Sequence, residues 1–285
     1  MAERFRIFEA DASGILSRTS GFIREAGFTH SLTPARNCTY ACTYCYVPTM
    51  GIYGGLKPDD WRRWGQFTTF KSNAPALLAR ELRTDYTIYC SPLVDPYQPA
   101  EAEMQMMPCI LDALIAKPPK IFTIQTRGPL IVRDIRKIAQ LASVTDVRVS
   151  FSLTTNREQI RRWFEPHCEP LEARLAAMRK LRQEGIRTFA TLAPLLPCDP
   201  EHLASVALQE TTENIIGDPF HVRATKLRGA TTRGGARRIC EIQACAEWLD
   251  PAFQADVVRR IGEVVTADGR RFETGPKGFQ WLAQP

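Results

Sequence analysis

Apolar segments of strand length and of helix length take turns along most of this chain, and that alternation restricts its fold more than any other feature. Phe28-Thr29-His30-Ser31-Leu32 alternates as a short strand does, until Pro34 and Asn37 break it. Tyr86 to Cys90, Ile121 to Ile124, Val147 to Leu153 and Ile186 to Leu192 are further strand-like runs, and a last strand is expected over Phe220-His221-Val222-Arg223. Helical patterns fill the intervals. Asn73 is placed to cap a helix running to Leu82, with Pro75 tolerated in its first turn. Met107, Ile110, Leu111 and Leu114 recur at helical spacing within 101–116, as do Ile131, Ile135 and Ile138 within 130–141. Leu171, Leu175, Met178 and Leu181 mark one face of a helix that Gly185 ends, and another helix is expected near 200–210. Such alternation builds parallel βαβ units, whose ligands gather at the carboxyl ends of the strands. The stretch 47–70, rich in glycine, proline and tryptophan, reads as irregular chain folding over one edge of such a site.

The first strand runs directly into Cys38-Thr-Tyr-Ala-Cys42-Thr-Tyr-Cys45-Tyr46, a C-x3-C-x2-C spacing with no fourth cysteine in the window. A structural zinc site normally closes with four protein ligands, so zinc would need His30 or a distant cysteine. Iron–sulfur clusters are usually held by four thiolates, and a set of three leaves one iron open to another ligand. Disulfides fit poorly. The cysteine count is nine, an odd number, and the chain opens Met-Ala-Glu-Arg-Phe-Arg-Ile with no apolar run of signal-peptide length. No stretch is long and apolar enough to span a bilayer. The expected setting is the cytoplasm, with reduced thiols and no membrane partner.

The triplet is the signature of the radical S-adenosylmethionine (radical SAM) enzymes, which this sequence resembles. The resemblance implies an α/β fold, the partial (β/α)6 TIM barrel of that family. It would span 26–230, with an N-terminal extension over 1–25 and a C-terminal extension over 231–285. It implies a 4Fe-4S cluster on Cys38, Cys42 and Cys45, with S-adenosylmethionine chelated at the open iron. One electron, from a donor such as flavodoxin or ferredoxin, would cleave the sulfonium and release a 5′-deoxyadenosyl radical.

Several stretches resemble one subgroup more closely, the spore photoproduct lyase-like proteins. They are the cysteine loop with Tyr44 and Tyr46, Cys90-Ser91, Thr126-Arg127, Phe151-Ser152-Leu153, Phe164-Glu165-Pro166, Arg174-Leu175-Ala176-Ala177 and Leu192-Ala193-Pro194-Leu195. In that subgroup a cysteine after the second strand returns a hydrogen atom to the product radical, and Cys90 matches its place. Tyr44 and Tyr46 match two tyrosines of a hydrogen-atom relay. By the same resemblance Arg127 matches a basic residue at the cofactor's methionine carboxylate, where the lyase has lysine, and Ser152 a nearby polar contact. Tyr44 and Ser91 join the cofactor set, and Pro194 and Leu195 would wall the adenine. Plainer readings stand beside these: a buried small hydrophobe for Cys90, a surface charge for Arg127, a strand end for Pro194 and Leu195, and a turn start or a substrate contact for Asp95.

A formal charge of +6 permits a polyanionic partner without demanding one. The best nucleic-acid signal is the glycine-rich basic tail with Arg223, Lys226, Arg228 and Arg233, which would either track phosphates or lie solvated. The function implied is repair of thymine photoproducts in DNA by a carbon–carbon lyase. Two alternatives are a radical SAM enzyme for a modified nucleoside, peptide or metabolite, and a non-catalytic metal-binding module. The lesion-wedging hairpin of the lyase is not found in this chain's C-terminal region. Cys240 and Cys245, five apart, would point about 140° away from each other on one continuous helix. Cys109, Cys168 and Cys198 read as core or incidental thiols.

Overall fold

The computed structural model describes residues 5–49, 63–221 and 234–284. Its strands are β1 (Arg6–Ala10), β2 (Leu16–Arg18), β3 (His30–Leu32), β4 (Ala35–Arg36), β5 (Phe67–Lys71), β6 (Thr87–Cys90), β7 (Ile121–Thr126), β8 (Asp146–Ser152), β9 (Arg187–Leu192), β10 (Ile215–Gly217) and β11 (Phe272–Thr274). An 8-stranded sheet runs in the order β11-β10-β9-β8-β7-β6-β3-β2. From β3 to β11 neighbouring strands pair parallel, and β2 adds an antiparallel edge. The helices Ala74–Glu81, Met106–Ala116, Ile135–Ala142, Leu171–Gln183 and Pro200–Glu210 connect successive strands. This is the α/β, open parallel arrangement expected of the radical SAM partial barrel.

Strand alternation gives the sheet two unlike faces. Ile88, Phe122, Ile124, Val149, Phe151 and Leu192 pack outward with Ile110, Leu111, Leu114, Ile138, Met178 and Leu181 of the helices. The inner face carries Tyr89, Thr123, Gln125, Arg148, Ser150 and Ser152. Its floor is closed by the C-terminal segment: Phe279, Leu282 and Ala283 pack on Phe28, Tyr89, Phe189 and Ile216. Arg148 secures that floor. Its Nε donates to Asp146 Oδ1 at 3.1 Å and its Nη2 to Asp146 Oδ2, while Nη1 donates to the carbonyls of Trp281 (2.7 Å) and Gln284 (2.5 Å).

Several local expectations change. A strand stands at Ile215–Gly217, ahead of the one expected over 220–223; Phe220 and His221 belong to no strand, and Val222 and Arg223 lie outside the described residues. Asp218 and Pro219 turn the chain out of the sheet, and Phe220 instead packs edge-on against Phe164. The end of the stretch read as irregular forms β5. It pairs with β1 and β4 in a 3-stranded sheet over the start of the cysteine loop, and Thr68 Oγ1 donates to the Arg36 and Asn37 carbonyls, both at 3.1 Å. Asn73 begins its helix but makes no side-chain cap, bonding instead to the Ala12 amide (2.9 Å) and carbonyl (3.0 Å). Gly185 ends its helix at φ 73°, the left-handed region that favours glycine. Cys240 and Cys245 do come together. The helix Gly234–Ile242 stops, Ala244 turns at φ 51°, and the two thiols meet in a hydrogen bond.

Candidate active site at the carboxyl end of the sheet

The cysteine loop leaves β4 and crosses the carboxyl ends of the strands. Cys38 and Cys42 are buried and Cys45 is half-buried; all three are free thiols. Its shape is set by local bonds. Ala41 sits at φ 54°, close against Gly65, and the Cys45 amide donates to the Cys42 carbonyl at 3.1 Å. Gln98 Oε1 accepts from the Thr39 amide at 2.8 Å, and Tyr40 donates to the Tyr97 carbonyl at 2.9 Å. Gly128 lies against that pair so closely that a Cβ would stand 2.5 Å from the Tyr40 hydroxyl. Among the described residues no three His, Cys, Asp or Glu side chains gather tightly enough to hold one metal ion. A four-iron cubane does not ask for that, because each cysteine binds a different iron. Three free thiols in one loop suit such a cluster. His30, the sequence-level candidate for a fourth zinc ligand, begins β3 at the opposite end and stacks on Tyr86 at 3.7 Å. Among the described residues, nothing places it near the thiols.

The segment 164–168 flanks the loop. The Phe164 carbonyl accepts from the Thr43 amide (2.9 Å) and hydroxyl (3.2 Å), and His167 Nδ1 meets the Thr39 carbonyl at 3.1 Å. Cys168, read as an incidental thiol, hydrogen-bonds to Cys42. That bond draws the Cys42 thiol below its ordinary value, against the opposing push of burial.

At the centre stands Glu165, fully buried. Its Oε1 accepts from Tyr44 (2.5 Å), Arg127 Nη1 (2.5 Å) and Thr154 (2.8 Å), and its Oε2 accepts from Arg174 Nη2. Arg127 Nη1 also donates to the Tyr44 hydroxyl. Burial pushes the carboxyl up, but Arg174 and Arg127 outweigh it and hold it down at about 2. Asp95, half-buried in the loop after β6, braces Arg127 through its backbone. It accepts from the Thr126 hydroxyl (2.6 Å), the Arg127 amide (2.8 Å) and the Tyr97 amide (2.9 Å). Sequence reasoning left Glu165 and Arg174 without a role. A usable signal existed for Arg174. It stands three residues after Leu171 and four before Met178, on the buried stripe of its helix.

The remaining candidates are distributed as follows. Ser152 accepts from Gln125 Nε2 at 2.8 Å, within an inner-face network that joins Tyr89, Gln125, Ser150 and Thr191. Ser91 faces Thr33 at 3.3 Å. Tyr46 donates to the Pro92 carbonyl at 3.2 Å, and Leu195 is tied through its amide to the Asp218 carbonyl at 2.9 Å, next to buried Pro194. Cys90 ends β6 on the same side as Ile88, in the apolar packing, and is 0% exposed. Burial, then Asp95 and Glu101, raise its thiol, so it stays protonated. Arg223, Lys226, Arg228 and Arg233 lie outside the described residues. No helix among the described residues is long and apolar enough to cross a membrane.

A spore photoproduct lyase structure shares this fold at a TM-score of 0.56 and 15% identity, covering 79% of this chain and 65% of that one. A second, complexed with dinucleoside spore photoproduct, gives 0.53 and 14%, covering 74% and 61%. An uncharacterized protein of Mycobacterium tuberculosis is 30% identical over 211 residues, which is 72% of this chain and 61% of the relative. One of Methanocaldococcus jannaschii is 26% identical over 160 residues, 56% and 58%. The chain thus spans about three fifths of the length of the curated relatives it matches. The radical SAM superfamily profile matches residues 32–205, from the end of β3 into the helix after β9. With its cysteine triplet free at the carboxyl edge of an open parallel sheet, the chain belongs to the radical SAM superfamily and is an enzyme whose cofactors are a 4Fe-4S cluster and S-adenosylmethionine.

Proposed function

We propose that the enzyme is a photoproduct-type lyase that restores thymines in DNA, with its lesion entering the inner face of the sheet. When bound, the cluster supplies the electron that cleaves the sulfonium to a 5′-deoxyadenosyl radical. Cys38, Cys42 and Cys45 would hold it, and Arg127 would receive the cofactor's methionine carboxylate. Tyr44 keeps Arg127 aimed, and Ser91, Ser152, Pro194 and Leu195 complete the cofactor's surroundings. A hydrogen atom would leave the lesion for the radical, the bond linking the two pyrimidines would break, and a hydrogen would return. The observation that carries this reading is the inner-face network of Tyr89, Gln125, Ser150, Ser152 and Thr191. A carboxamide among hydroxyls offers donors and acceptors to the edge of an unstacked base. Arg223, Lys226, Arg228 and Arg233 are assigned to the DNA backbone by their charge alone.

A second reading, radical chemistry on another substrate, is favoured by one observation. By strand alternation Cys90 falls on the Ile88 side of β6, in register with Leu32 and Ile124, and not on the Tyr89 side. A returning hydrogen would then come from elsewhere or not be needed. The deciding experiment supplies the reconstituted protein, anaerobically, with S-adenosylmethionine, a reductant and a lesion-bearing oligonucleotide. Restored thymine is expected. Formation of 5′-deoxyadenosine without restored thymine would eliminate this substrate, and a Cys42→Ala variant without iron–sulfur absorption would locate the cluster.

A further inference from the structure

Arg127, Glu165 and Arg174 form a buried row of alternating sign, positive, negative, positive. The row is asymmetric in what it leaves open. Glu165 is saturated, with donors on both oxygens. Arg127 is held through Nη1 alone, and among the described residues nothing pairs with its Nε or Nη2. Its side chain remains 15% exposed, whereas those of Glu165 and Arg174 are 0% exposed. Arg174 bonds through Nη2, and among the described residues its buried Nε and Nη1 have no partner.

An isolated Arg127–Glu165 pair would be neutral. It would also set a carboxylate beside any anion that approached the open edge of Arg127. Arg174 changes that sum. Two guanidinium groups share one carboxylate, so the row carries a net positive charge and its exposed end can accept another anion. We propose that Arg174 is a positioning residue for the cofactor: it takes up the charge of Glu165, so that Arg127, held in place by that same carboxylate, keeps its attraction for the methionine carboxylate of S-adenosylmethionine. The proposal rests on the reading that Arg127 receives this carboxylate. Arg174 bonds to Glu165 and acts through it. Across several ångströms of partly buried protein, one unit charge changes the affinity for an anion by about tenfold or more.

The test compares two ligands that differ only in the carboxylate: S-adenosylmethionine and its decarboxylated form. Both are measured by anaerobic equilibrium dialysis on the cluster-loaded, unreduced protein. Arg174→Met should raise the Kd for S-adenosylmethionine about tenfold and leave that of the decarboxylated ligand within about twofold. The double variant Glu165→Gln/Arg174→Met, which returns the row to one net positive charge, should recover most of the loss. A purely structural arginine predicts no such rescue. Equal weakening of both ligands, or no weakening of either, overturns the proposal. Should Arg174→Met fail to fold, Glu165→Gln decides: S-adenosylmethionine bound at least as tightly as by the parent supports the charge argument, and weaker binding sinks it. Arg127→Met binding S-adenosylmethionine like the parent would instead defeat the carboxylate assignment beneath it. A parent protein that binds no S-adenosylmethionine at all would defeat the functional reading itself.

Discussion

Two arginines among the described residues are 0% exposed, and they are used in opposite ways. Arg148, on β8, donates from Nε, Nη1 and Nη2 to a carboxylate and two chain carbonyls and closes the floor of the sheet. Arg174, at the carboxyl end, donates from one nitrogen to Glu165 and has two with no partner among the described residues. Buried polar groups are nearly always paired, because an orphaned donor loses its water without replacement. A saturated guanidinium therefore marks architecture. An unsaturated one, beside a free cysteine loop and an arginine with an open edge, marks a place organised for something not made of protein.

The largest effect that would break this contrast is on stability at the floor. Arg148→Met strands the carbonyls of Trp281 and Gln284 and leaves Asp146 with Arg187 at 3.6 Å, and should cost about 3 kcal/mol in chemical denaturation of the cluster-free protein. Its folded fraction should bind S-adenosylmethionine as the parent does. A loss below ~1 kcal/mol would show that saturation is no measure of structural weight.

The next effect is set by pH at the other end. The Glu165 carboxyl is depressed in the folded chain from its ordinary 4.5 to about 2. Its contribution, on the order of 3 kcal/mol, is therefore complete above pH ~4.5 and disappears as the pH falls toward 2. Denaturation midpoints followed between pH 6 and pH 2 should show this acid limb, and Glu165→Gln should flatten it. An unchanged limb would mean that the two arginines do not hold the carboxylate ionised.

Arg174→Met should destabilise less than Arg148→Met, by ~2 kcal/mol, because Glu165 keeps Arg127, Tyr44 and Thr154. Parity of the two variants in the same denaturation series would erase the distinction between floor and site. The smallest effect is Tyr44→Phe. It removes one hydroxyl between Arg127 and Glu165 and should cost about 1 kcal/mol, with the cluster's absorption retained. Loss of the cluster in that variant would assign Tyr44 to the cluster rather than to the charged row.

Features carried by neighbouring residues were readable before folding. The cysteine triplet is one, since covalent spacing brings three thiols to one loop without help from the rest of the chain. The strands and helices from Phe28 to Glu210 are another, because periods of two and of about three and a half residues are written in consecutive side chains. Short strands escaped. β1, β2, β10 and β11 are 3 to 5 residues long, too short to show a period. The face of Cys90 was also beyond reach: a step of one residue reverses a strand side chain, and only the register with β3 and β7 settles it.

Neighbouring residues alone thus placed three thiols in one loop within a run of parallel strand–helix units, because both signals are local. Folding decided the charged row. Tyr44 and Glu165 stand 121 residues apart, and Arg127 and Glu165 stand 38 apart. Their meeting depends on the parallel sheet, which brings the carboxyl ends of β7 and β8 beside the cysteine loop. There, exclusion of water makes each charge answer to its neighbours.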